Sequence, residues 1–109
     1  MKKRPATIDP GPAAIDAVVE ALGCLADDGQ RRAFLEDLCT PAELQALADR
    51  WRVVPLLLQG LPYREIHDLT GVSVTTVGRV ARCIEFGAGG YRAAAEQLGL
   101  AQAETDASH

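Results

Sequence analysis

The chain is predicted to be all-α, on three observations. Its apolar residues recur at spacings of three and four along several stretches, as they do on one face of a helix. Its β-branched residues nowhere alternate with polar ones over any length, whereas Ala and Leu are abundant at helical spacing. Its clearest punctuation, Thr40-Pro41-Ala42-Glu43 and Gly71-Val72-Ser73, consists of helix start and stop signals. A length of 109 residues, 48% of them hydrophobic, makes one small domain with a modest core, which pairing two copies would enlarge.

Residues 1–11 are expected to form a flexible arm that carries Lys2, Lys3 and Arg4 and ends in the turn Asp9-Pro10-Gly11-Pro12. A helix follows from about Pro12 to Ala26, with Ile15, Val18, Val19, Leu22 and Leu25 as its apolar stripe. Asp27-Asp28-Gly29 breaks that pattern, and a second helix containing Phe34, Leu35 and Leu38 runs to about Cys39. At Thr40-Pro41-Ala42-Glu43 the threonine caps, the proline takes the first helical position and the glutamate reaches back. The helix opened there carries Leu44, Leu47, Trp51, Val54, Leu57 and Leu58. Pro55 removes one of its backbone bonds and should bend it between Trp51 and Leu56. Gly60-Leu61-Pro62 ends it.

The next stretch, Tyr63 to Val80, has the pattern of a helix-turn-helix. Ile66, Leu69, Val72, Val74, Val77 and Val80 fall where two steeply crossing helices need apolar groups for a shared core. Gly71 stands where the chain must leave the first helix, a place that favours left-handed backbone, and Ser73 offers a hydroxyl to cap the second. With Val74, Val77, Val80, Ala81 and Ile84 inward, the second helix leaves Thr75, Thr76, Arg79, Arg82 and Phe86 outside. Threonines near the start of a groove-entering helix are placed to meet thymine methyls or phosphates. Arg79 can fork onto a guanine edge, a contact worth ~1 to 3 kcal/mol of discrimination, or clamp the backbone. Arg64, Ser73, Thr75, Thr76, Arg79 and Arg82 are the candidate DNA-binding residues. Beyond them Gly87-Ala88-Gly89-Gly90 permits a tight reversal into a last helix, Tyr91 to Leu98. No strand precedes those glycines, so they mark a helix stop rather than a phosphate cradle. Residues 12–98 are thus the folded domain, and 99–109 a flexible tail.

The net charge of −4 argues mildly against nucleic acid, but its distribution does not. Between residues 50 and 92, six arginines stand against Glu65, Asp68 and Glu85, a net of +3. The first 49 residues sum to −4 and the last 17 to −3. An excess this small predicts modest affinity per subunit, with a second half-site supplying much of the rest.

Several ordered pieces carry a family resemblance: Leu38-Cys39-Thr40-Pro41-Ala42-Glu43-Leu44, Arg50, Leu57-Leu58-Gln59-Gly60, Tyr63-Arg64-Glu65-Ile66, Thr70-Gly71-Val72-Ser73, Thr76-Val77-Gly78-Arg79 and Gly87-Ala88-Gly89-Gly90-Tyr91-Arg92. From about Phe34 to Leu98 the chain resembles the Trp-repressor-like proteins, and within them the YerC/YecD-type branch. The resemblance implies an all-α, intertwined homodimer bound to a roughly two-fold symmetric operator. The wide apolar stripes of the first helices suit such an exchange, with Trp51 as an anchor either between subunits or within one core. The resemblance also raises a corepressor pocket, since by position Thr40, Arg50 and Arg79 look like the residues that contact tryptophan. Against tryptophan, Val80 replaces a glycine that leaves room for the indole, and the connection from the central helix to the motif is one residue shorter. A small-molecule effector is compatible with this reading and tryptophan is not expected. Without an effector, Arg50 pairs with a carboxylate and Arg79 serves DNA alone.

His67 departs from the usual small alanine of a first motif helix. It either holds the helices slightly apart or reaches outward to a neighbour, and the structural role is favoured over a pH switch. No catalytic or metal constellation emerges. Cys24, Cys39 and Cys83 are widely spaced and expected to be reduced and mostly packed, and neither His67 nor His109 shares ligand spacing with them. Glu36-Asp37 lacks a partner base. No enzymatic activity, metal or cofactor is expected. No apolar run is long enough to span a bilayer, and Met1-Lys2-Lys3-Arg4 is followed by Pro5, Ile8, Asp9 and Pro10 rather than a signal segment, so a cytoplasmic location is expected. The leading function is a homodimeric DNA-binding regulator that represses by occupying a promoter. The alternative is a helix-turn-helix-shaped protein-interaction module of the transcription or replication machinery, which the overall acidity supports.

Overall fold

The computed structural model describes residues 11–100. They form six helices and, among the described residues, no strand: α1 (Gly11–Gly23), α2 (Asp28–Leu38), α3 (Pro41–Leu58), α4 (Tyr63–Thr70), α5 (Val74–Phe86) and α6 (Gly90–Gln97). The chain divides into two compact units, residues 1–41 and 42–109. The basic arm residues Lys2, Lys3 and Arg4, and the tail from Ala101 to His109, lie outside the described residues.

In the N-terminal unit, α1 ends at Gly23, three residues before the expected Ala26, and leaves Leu25 in the connection. The expected break at Asp27-Asp28-Gly29 is instead the start of α2. The Asp27 carboxylate accepts the Gln30 N–H at 3.0 Å and caps the helix, so Asp28 and Gly29 already belong to its first turn. Asp28 sits favourably at the positive end of the helix and pairs with Arg31, whose guanidinium also donates to the Leu25 carbonyl and ties the connection down. Neither α1 nor α2 buries a single residue, and Ile15 of the α1 stripe stays 63% exposed.

The C-terminal unit has a core. Val53, Val54 and Leu58 of α3, Ile66 of α4, Val72, Val77 and Val80 of the motif and Ala95 of α6 form one buried cluster. Around it lie Leu56, Leu57, Leu61, Ile84 and Leu100, together with Trp51 and Tyr91, whose ring centroids are 6.4 Å apart. Trp51 therefore anchors its own chain's core. The α3 helix continues as one element through Pro55. It closes with paired bonds from Gly60 N–H to Leu57 O and from Leu61 N–H to Leu56 O, which require left-handed backbone at Gly60, φ 87°. The same double closure, Gly99 to Glu96 and Leu100 to Ala95, ends α6 and brings Leu100 onto the core, two residues past Leu98.

Two expected core residues are not in it. Leu69 is 61% exposed because Thr70 takes the inward place on the last turn of α4, its hydroxyl donating to the Ile66 carbonyl at 2.7 Å. Val74 is 44% exposed because, as the first residue of α5, it lies at the edge of the inward sector that Val77, Val80 and Ile84 define.

Gly78 of α5 faces Tyr63 of α4, and an added Cβ there would meet Tyr63 Cε2 at 3.5 Å, an ordinary contact. Since Gly78 lies inside a helix and has no positive φ, Gly78→Ala is expected to raise stability by about 0.5–1 kcal/mol. Urea unfolding at one fixed protein concentration measures this, and a destabilised variant would mean that the two helices stand closer than described.

Candidate nucleic-acid interface

The junction between α4 and α5 is built from short polar side chains acting on backbone. Gly71, at φ 79°, turns the chain out of α4 while its N–H donates to the His67 carbonyl at 2.7 Å. That left-handed geometry is what the glycine is for. Thr70 Oγ1 accepts the Val72 N–H at 3.0 Å, and His67 Nδ1 lies 2.8 Å from the Val72 carbonyl oxygen. His67 is thus a structural histidine bonded to backbone across the turn. Ser73 then caps α5: its Oγ accepts the Thr76 N–H at 3.1 Å and donates to Thr76 Oγ1 at 3.0 Å. Val72, buried between these bonds, pins the turn to the core.

Beyond the cap, a rotation of about 100° per residue sets Thr75, Arg79, Arg82 and Phe86 in one outward sector, opposite Val77, Val80 and Ile84. All four are exposed, Phe86 at 73%, while Thr76 on the flank is half-buried. The Arg82 guanidinium lies 5.8 Å from the centre of the Phe86 ring, a cation–π contact that steadies both. Arg79, Arg82, Cys83, Phe86 and Gly87 line an open hollow of about 330 Å³ on this face. Arg64 is exposed on the first turn of α4.

The electrostatics divide the arginines sharply. In the N-terminal unit, Arg31 and Arg32 are matched with Asp28 and Glu36, and on α3 Arg52 stands 3.9 Å from Asp49. Arg64, Arg79 and Arg82 make no ion pair or side-chain hydrogen bond with any described residue. A cation left unmatched on a surface is available to an external anion at no cost of breaking an internal pair.

Of the three positions named for an effector, Thr40 is exposed in the N-terminal unit, Arg50 is half-buried on α3 and Arg79 is exposed on α5. Arg50 forms no ion pair among the described residues, contrary to the expected carboxylate partner, because neighbouring Asp49 is engaged by Arg52 and by Gln45. Val80 is 1% exposed and belongs to the core. Cys24 and Cys83 are exposed rather than packed, the first lying just past the end of α1 and the second on the flank of α5; only Cys39 is half-buried. Among the described residues no group of three His, Cys, Asp or Glu side chains is placed to hold a metal, and no helix is long and apolar enough to cross a membrane.

Sequence reasoning placed Val74 inside and so missed an exposed valine at the entry of the outward helix, next to its capped end. The signal was its position: a first-turn residue is flanked by a connection, and inward periodicity alone overstates its burial.

Comparison with known proteins agrees with this architecture. The family model for the Trp repressor protein matches residues 13–99. YerC of Bacillus subtilis (strain 168), described as uncharacterized, is 34% identical over 94 residues, covering 86% of this chain and 88% of that protein. Among solved structures, a TrpR-like protein from Eubacterium eligens ATCC 27750 superposes with a TM-score of 0.75 at 32% identity, covering 83% of this chain and 93% of that one. A candidate Trp repressor from Staphylococcus aureus gives 0.74 at 31% identity, covering 81% and 88%.

The cap that starts α5 is open to direct measurement. Ser73→Ala is expected to cost about 0.5–2 kcal/mol of stability and Ser73→Asp to recover most of it, since a carboxylate accepts the same N–H. Equal denaturation midpoints for all three proteins would show that the hydroxyl does not hold the helix start.

Proposed function

Because the chain belongs to the Trp repressor family, we propose that it is a sequence-specific DNA-binding transcription regulator, a repressor acting as a homodimer with α5 as its reading helix. The observation that carries this is the set of unmatched cations: Arg64, Arg79 and Arg82 face outward on the two motif helices without a carboxylate partner among the described residues, whereas Arg31, Arg32 and Arg52 are each matched with one. In this reading the capped end of α5 enters the major groove. Thr75 and the exposed Val74 meet thymine methyls, Arg79 reads a base edge, and Arg64, Ser73, Thr76 and Arg82 hold phosphates.

The dimer is supported by what the single chain leaves uncovered. Ile15, Val18, Val19 and Leu38 remain exposed on helices that bury nothing, and short amphipathic helices are held mainly by burial of their apolar face. A second copy, exchanging the same surfaces, is the occupant we assign to them. Two reading helices would then sit about one DNA turn apart, roughly 34 Å, on a near-palindromic site. Such a protein works in the cytoplasm, at the promoter it occupies.

For an effector, Thr40, Arg50 and Arg79 are the candidate contacts, and the absence of a carboxylate partner among the described residues leaves the Arg50 and Arg79 guanidiniums suited to an anionic ligand. Tryptophan is not that ligand in this reading, because Val80 occupies with core packing the place where an indole needs room.

Selection of bound duplexes from a random pool, followed by titration against salt, tests the reading. Affinity for the selected site is expected to fall steeply as salt rises. Arg79→Ala is expected to cost ~1 to 3 kcal/mol of specific affinity with the dimer intact. A variant with unchanged affinity removes Arg79 from the interface. Salt-insensitive capture of a protein, with no selected duplex, favours the interaction-module alternative. Added tryptophan is expected to give no calorimetric heat and no tightening on DNA, and a stoichiometric micromolar signal would reinstate Arg50 and Arg79 as its clamps.

A further inference from the structure

The turn holds one polar atom that neither the fold nor the reading helix uses. His67 Nδ1 is 2.8 Å from the Val72 carbonyl oxygen, and a carbonyl can only accept, so Nδ1 carries a proton in every protonation state of the ring. The neutral imidazole is thereby fixed as the tautomer with an unprotonated Nε2. Nε2 makes no hydrogen bond with any described residue, and His67 is exposed. Gaining the second proton changes nothing in the turn: the bond to Val72 persists, and a new N–H points away from it.

Position decides what that N–H meets. His67 lies on the first motif helix, which crosses the DNA backbone when the second helix enters the groove. Its ring is tethered to the residue immediately before Ser73, the cap of α5. The connection and first residues of α5, Val72 to Gly78, contain no ionisable side chain that could neutralise the imidazolium. The charged groups of α4 are Arg64, Glu65 and Asp68, and the nearest along α5 is Arg79. Of the other helices sharing the core, α3 contributes Glu43, Asp49, Arg50 and Arg52, with Asp49 already engaged, and α6 contributes Arg92 and Glu96.

Resting on the DNA-binding reading above, we propose that His67 is a further DNA contact residue, donating from protonated Nε2 to a backbone phosphate beside the turn. The contact is a charge-assisted hydrogen bond that exists only for the protonated ring. Binding therefore takes up a proton. The gain in affinity is fully present at a pH low enough to protonate the free protein's ring, and is lost as the pH rises through the titration of the DNA-bound ring.

The test uses the full chain and a duplex selected as above, with affinity measured at constant ionic strength from about pH 8 to about pH 6. His67→Asn is the matched variant, because its amide Nδ2 keeps the donor to Val72 and has nothing to titrate. The unaltered protein is expected to tighten at least about tenfold over that range and His67→Asn by much less, with the two converging at the alkaline end. The His67 ring protons, followed by NMR, are expected to titrate at higher pH in the complex than in the free protein. Binding that persists with the same pH dependence in both proteins overturns the His67 assignment alone. Absence of duplex binding at every pH overturns the regulator reading and this assignment with it.

Discussion

Burial of Val72 between Ile66, Val77 and Val80 is the constraint on which the motif depends. Its side chain enters the core from a three-residue connection, Gly71 to Ser73, so the two helices it joins have little freedom to change their crossing. The polar groups around it follow from that burial. A buried connection must satisfy its own backbone, and Thr70 takes the Val72 N–H while His67 takes the carbonyl. The glycine before it and the serine after it then complete a helix end and a helix start at no cost to the core.

That inner rigidity is what gives the outer face meaning. Val77, Val80 and Ile84 fix the rotation of α5 about its axis, and the same rotation presents Thr75, Arg79, Arg82 and Phe86 together. Cations on a mobile segment would lose entropy on meeting a duplex, whereas cations on a helix locked by its buried Val77 and Val80 are already arranged. The contrast with the paired arginines Arg31, Arg32 and Arg52 gives this surface its character despite a chain whose total charge is negative.

The N-terminal unit follows a different logic. Its second helix, α2, is capped by Asp27 and braced by the Arg31 contacts, yet neither α1 nor α2 buries a residue. Local signals were sufficient to make α2, since a cap and an i,i+3 or i,i+4 ion pair need only nearby residues. A core needs partners from elsewhere, and a stripe of Ile15, Val18 and Val19 on a short helix remains a surface awaiting cover.

What the sequence by itself determined was local: six helices in order, the turn at Gly71, the cap at Ser73, the stop at Gly60 and the outward set on α5. Each depends on residues within a few positions, where spacing and propensity act directly. Only the tertiary structure decided which apolar residues at the correct spacing were actually covered. It left Leu69 and Val74 outside, drew Trp51 and Leu100 onto the core, and exposed Cys24 and Cys83. It also decided that Arg50 would have no carboxylate partner among the described residues and that His67 would hold the Val72 carbonyl. The reason is geometric: periodicity gives the direction of a side chain about its own helix axis, whereas burial and hydrogen-bond partners depend on how far each neighbouring element extends, and that is set by the packing of the whole unit.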